Sequence, residues 1–110
     1  MTTSTEVSVI RMEGAVRMGE VVDRLRAQVE ENLRRNHARL VIDMSGVTSL
    51  DSSGIGVLVR SLTLAKQKGG TVKLSALPHS AEQTLKTTGL LKLFEVYETE
   101  TKAVDSFVGA

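Results

Sequence analysis

The chain reads as a small α/β domain: a mixed or mostly parallel sheet with about four helices packed against it. Three observations predict this. Apolar runs of strand length alternate with segments of helical periodicity along the 110 residues, and strands separated by helices pair in parallel through crossovers. The run Leu40-Val41-Ile42-Asp43-Met44 lacks the alternation of a half-exposed strand, as expected of a parallel strand covered on both faces. Aromatic residues make up only 3% of the chain, so the core is aliphatic.

In order, Val7 to Met12 carries Val7, Val9, Ile10 and Met12 and predicts an opening strand that Gly14 breaks. Met18, Val21, Val22, Leu25, Val29 and Leu33 then recur at three- and four-residue steps, one face of an amphipathic helix. Its other face offers Glu20/Arg24, Glu30/Arg34 and Glu31/Arg35 as acid-before-base pairs. After the central strand, Ser45-Gly46-Val47-Thr48-Ser49 reads as a loop leading to Asp51. From Ser53 to about Lys68, Ile55, Leu58, Val59 and Leu62 define a largely buried helix, with Gly69-Gly70 as its stop. Thr71 to Ala76 predicts a strand, and His79 to Thr88 a helix with Ser80 and Gln83 at capping-box spacing. Leu90, Leu91, Leu93 and Phe94 form an apolar anchor, Val96 and Tyr97 a short strand, and Ala103, Val104 and Phe107 the inner face of a terminal helix. One domain over residues 1–110, with an ordered core over about 7–107, is the expected organisation.

Composition narrows the function. Fourteen basic against thirteen acidic side chains leave a formal charge of +1, without the field that draws a polyanion, so no nucleic-acid partner is expected. The absence of cysteine removes disulfides and thiolate chemistry. With only His37 and His79 as further soft ligands, neither a metal nor a cofactor is expected. No leader pattern and no apolar run of spanning length occur, which predicts a cytoplasmic protein not inserted in a membrane.

The chemistry concentrates in Leu50-Asp51-Ser52-Ser53-Gly54-Ile55-Gly56-Val57-Leu58, which puts two hydroxyls at a strand-to-helix turn. In a parallel sheet such a turn lies beyond the carboxyl ends of the strands, where sites collect. The start of the helix favours a negative group and admits weak nucleotide binding. The competing structural reading is that Ser52 or Ser53 caps the helix while Gly54 and Gly56 permit close packing. Asp51 either orients a serine hydroxyl or accepts backbone hydrogen bonds in the turn. Catalysis by either serine would need a base, and neither histidine stands in a recognisable motif. The chain is therefore read as a non-enzyme.

Taken together, Leu40 to Val47, Leu50 to Leu58, Lys68-Gly69-Gly70 and Thr88-Gly89-Leu90 resemble the STAS family of bacterial anti-sigma factor antagonists, in order and in spacing. The resemblance covers about residues 7 to 107. It implies a binding switch without catalysis of its own. Unphosphorylated, such a protein binds an anti-sigma factor that is also a serine kinase, releasing a sigma factor, and phosphorylation dissolves the complex. The family's phosphorylated serine maps to Ser52, and Asp51, Ser52, Ser53, Gly54, Ile55 and Gly56 form the implied switch surface. The family's acidic motif after its second strand is replaced by Gly14-Ala15-Val16-Arg17. That departure makes Arg17 a candidate contact to a phosphate or partner. It also motivates an alternative: an unmodified STAS adaptor or subunit of a transporter or stress-sensing complex.

Overall fold

The computed structural model describes residues 7–16 and 19–108. Strands β1 (Val7–Val16), β2 (Arg39–Leu50), β3 (Thr71–Ser75) and β4 (Glu95–Tyr97) alternate with helices α1 (Glu20–Arg34), α2 (Ser52–Gln67) and α3 (His79–Thr87), and α4 (Glu100–Val108) closes the chain. A 3₁₀ turn, Leu91–Leu93, precedes β4. The described strands form one sheet in the order β1-β2-β3-β4, with every neighbouring pair parallel. The order never reverses, so right-handed crossovers put α1, α2 and α3 on one face.

The main core lies between that face and those helices. Along β2, Leu40, Ile42 and Met44 project into it and are fully buried, as are Val29 of α1, Leu58 of α2 and Leu85 of α3 among the helical side chains they join. The i,i+3 and i,i+4 apolar steps of α1 become its buried stripe of Val22, Leu25, Val29 and Leu33, with Val21 at the margin; Met18 lies outside the described residues. On its solvent side Glu20 meets Arg24 as spacing suggests, at 3.5 Å. Glu31 pairs with Arg34, three residues on, rather than with Arg35.

Helix α4 covers the opposite face. Val41 points away from Leu40 and Ile42 and is nonetheless fully buried, as is Ala103 of α4. The other side chains on this face tie the helix down. Arg11 holds Glu100 through two hydrogen bonds of 2.8 and 2.7 Å. Lys73, 7% exposed, donates to Ser106 Oγ at 2.8 Å and lies 4.1 Å from the centre of the Phe107 ring, a cation–π contact that compensates its burial.

Four expectations are corrected. Strand β1 runs through Gly14 to Val16, and β2 continues through the residues expected to loop, ending at Leu50. The two extensions pair with each other, Glu13 with Gly46 through Val16 with Leu50, with register shifts that absorb two extra residues of β2. Helix α3 is preceded by Pro78 without a side-chain cap, so Ser80 and Gln83 form no capping box. Leu93 of the apolar anchor is 46% exposed, whereas Phe94 is buried, because the 3₁₀ turn points the two side chains apart.

Asp43 links the sheet transversely. Arg11, Asp43 and Ser75 are register partners on the α4 face. Burial disfavours the Asp43 charge. The hydrogen bonds from the Ser45 hydroxyl (2.7 Å), the Ser45 N–H (3.1 Å) and the Ser75 hydroxyl (2.9 Å), with a further contribution from Arg11, outweigh it and hold its pKa below the usual value. A carboxylate of lower pKa in the folded state adds stability above its unfolded pKa of about 3.9 and loses it as pH falls through the folded value. Asp43→Asn is expected to cost about 1–3 kcal/mol at neutral pH, with the deficit shrinking below about pH 4. Urea unfolding of both proteins at neutral and acidic pH measures this, and a deficit independent of pH would refute it.

Candidate functional site

The site is built where the β1–β2 ladder ends. Val16 and Leu50 are its last register partners, both buried, and the Asp51 N–H donates to the Val16 carbonyl at 3.1 Å. The chain then turns into α2. Asp51 has an extended backbone and is the N-cap: one carboxylate oxygen, Oδ1, accepts from the N–H groups of Ser53 (2.9 Å) and Gly54 (3.1 Å). The Asp51 carbonyl accepts the first helical bond, from Ile55 N–H at 3.0 Å. Of the two roles open to Asp51, the structure has the capping one.

The cap is thus supplied by Asp51 and not by a serine. Neither serine caps α2. Ser52 is the first residue of the helix, is exposed, and makes no side-chain hydrogen bond among the described residues. Ser53, one position on, is half-buried. The helix N-terminus is less open to an added anion than sequence suggests, because the Asp51 carboxylate already takes two of its orphan N–H groups.

The two glycines differ. A Cβ on Gly54 would lie 2.7 Å from both Leu50 Cδ1 and Val16 Cγ1 and 3.0 Å from the Val16 carbonyl oxygen. Glycine there lets α2 sit directly on the strand ends. A Cβ on Gly56 would meet nothing within 4 Å. Gly56 is exposed on the helix, where glycine costs about 0.5–1 kcal/mol relative to alanine, and no packing inside the chain requires it. Ile55, between them, is 6% exposed and joins the core.

Ser52 and Gly56 share an open groove of about 600 Å³ with Ile55, Val59, Arg60 and Thr63 along α2, closed on its other side by Thr88 and Leu90 after α3. The lining is mainly apolar, and Arg60 is its one charged residue. Spacing alone does not mark Arg60. Once α2 is known to start at Ser52, positions 52, 56 and 60 fall at i, i+4 and i+8, one stripe of the helix. Arg17 lies outside the described residues. Neither His37 nor His79 lines the groove.

The comparisons agree with this geometry. The STAS domain model matches residues 1–103. The chain belongs to the STAS domain family. The anti-sigma F factor antagonist of Paenibacillus polymyxa is 27% identical over 99 residues, covering 89% of this chain and 84% of that protein. The structure of the anti-sigma factor antagonist SpoIIAA in its unphosphorylated form superposes with a TM-score of 0.83 at 20% identity, over 100% of this chain and 95% of that one. The STAS domain of the Vibrio cholerae SulP transporter gives a TM-score of 0.78 at 19% identity, over 98% and 85%. The fold expected from sequence is thus the STAS fold. No helix among the described residues is long and apolar enough to cross a membrane.

The roles of the turn residues separate by substitution. Gly54→Ala is expected to lose about 1–3 kcal/mol by overpacking, and Asp51→Ala about 0.5–2 kcal/mol by loss of the cap. Ser52→Ala is expected to stay within about 0.5 kcal/mol. Thermal unfolding of the three variants checks the order; a Ser52→Ala loss equal to that of Asp51→Ala would return the serine to a capping role.

Proposed function

We propose that this protein is a phosphorylation-controlled binding switch: unmodified, it binds an anti-sigma factor with serine kinase activity and so releases a sigma factor, and phosphorylation of Ser52 inactivates it. The observation that carries the reading is the division of labour at the turn. Asp51 does the capping, which leaves the Ser52 hydroxyl exposed and uncommitted at the end of an apolar groove. The named antagonist among the relatives supports the same role.

In the proposed reaction the γ-phosphoryl group of ATP passes to Ser52 Oγ, ADP leaves, and the hydroxyl proton goes to a base of the kinase. The product adds about −1.5 to −2 charges beside Asp51. The fold tolerates this, because Ser52 is exposed and the capping bonds use only Asp51 and the N–H groups that follow. An interface closed over the turn does not, since it must desolvate the new charge next to an existing carboxylate. The switch therefore acts through local electrostatics, without refolding.

The alternative is an unmodified adaptor or subunit in a transporter or stress-sensing complex. The sequence Gly14-Ala15-Val16-Arg17, which carries no acid and one basic residue where the family pattern is acidic, favours it.

Incubation with ATP and candidate sigma-regulator kinases from the native organism, followed by peptide mass spectrometry, is expected to place phosphate on Ser52. Ser52→Asp is expected to weaken kinase binding by about tenfold or more while Ser52→Ala preserves it. Phosphate on another residue, or equal binding by the two variants, would sink the switch; retention of the unmodified protein by a native membrane transporter would favour the alternative.

A further inference from the structure

Gly56 and Arg60 carry an inference about what binds here, resting on the reading of this face as a partner surface. A glycine inside an exposed helix weakens that helix, and the reason for keeping it is usually a close approach. Gly54 has its close approach within the chain. Gly56 has none: the space above its Cα is open, at the middle of the groove. The notch is flanked by Val59 and Leu90, apolar side chains that are only partly buried, and Arg60 stands one turn beyond it with no acidic residue in the lining.

We infer that the groove receives a segment of the anti-sigma partner that sets an apolar side chain into the Gly56 notch and a carboxylate opposite Arg60. Charge complementarity selects this occupant. An apolar lining with a single cation favours an apolar segment bearing one acid, and disfavours a basic segment or a polyanion. Distance separates Arg60 from the Ser52 switch. Eight residues of helix put the two backbone positions about 12 Å apart, at opposite ends of the groove. The two groups act on the segment in opposite senses: Arg60 attracts its carboxylate, and a phosphate on Ser52 repels it. Seating depends on Gly56 between them.

The test uses the full chain carrying a photoreactive benzoylphenylalanine at Thr63, on the groove wall, or at Lys102, on α4, in native cells, with crosslinked peptides mapped by mass spectrometry. Adducts are expected from Thr63, on a partner segment that combines apolar residues with a carboxylate, and not from Lys102. Gly56→Ala is expected to raise the melting temperature by about 2–6 °C and yet to reduce the Thr63 adduct severalfold. Arg60→Glu is expected to reduce it about tenfold, with recovery when the mapped carboxylate is changed to lysine. Absence of Thr63 adducts, a mapped segment without an acid, or an adduct yield unaffected by Gly56→Ala would each overturn the inference. The Ser52 pair keeps the two readings apart. Equal Thr63 adducts from Ser52→Asp and Ser52→Ala would sink the phospho-switch and leave the groove, whereas phosphate on Ser52 without any Thr63 adduct would sink the groove and leave the switch.

Discussion

The contact on which the rest depends is the seating of α2 on the last rung of the β1–β2 ladder. Val16 and Leu50 end the two strands as partners, and Gly54 allows the helix to descend until only a missing methyl separates it from both side chains. At that closeness the turn cannot be long, so the residue after Leu50 has to be the cap. Asp51 meets that demand with a side-chain oxygen for two helical N–H groups and a backbone N–H for the Val16 carbonyl. Ser52 is consequently the first residue of the helix and is turned to solvent. The exposed hydroxyl follows from a packing constraint two residues further along, at Gly54.

That rung exists because β1 and β2 are longer than local pattern suggests. Ser45-Gly46-Val47-Thr48-Ser49 has the composition of a loop, and Gly14 has a positive φ of 78°, a conformation that normally interrupts a strand. Neither segment would hold an extended form alone. Each supplies the other's hydrogen bonds, and the register shifts accommodate residues that do not fit a regular ladder. Pairing of this kind joins residues some thirty positions apart; no local window contains it. The helices and the buried centre of β2 were legible for the opposite reason, since their apolar periodicity is local and each reports its own burial.

The turn itself was half legible. Asp-Ser-Ser-Gly announces a helix start, but three of its four residues are able to cap, and sequence cannot say which one does. The answer depends on where α2 begins, which the Val16–Leu50 rung fixes from outside the tetrapeptide. The glycines pose the same problem. Gly54 and Gly56 are equivalent in sequence, and only the approach of the strand ends to one side of α2 makes the first obligatory and the second unexplained by the chain's own packing. Arg60 was invisible for a related reason: a lone basic residue on a helix is ordinarily a solvated charge, and it gains meaning here only as the one charge in an apolar groove.

The opposite face of the sheet is built so that the proposed switch would be confined to the α2 side. There the polar side chains are mutually satisfied: Asp43 accepts from Ser45 and Ser75, Lys73 is held by Ser106 and the Phe107 ring, and Arg11 by Glu100. Apart from the Asp43–Ser45 pair within β2, these bonds run between strands or between strands and α4, and bind the sheet as a unit. A charge added at Ser52 would meet a packed platform below it, since α2 is anchored by a buried face that includes Leu58, Leu62 and Ala65. Refolding the platform would expose that core, whereas releasing a bound surface costs only the contacts made across it. A modification at this turn would therefore be felt by a partner lying over the groove before it is felt by the fold.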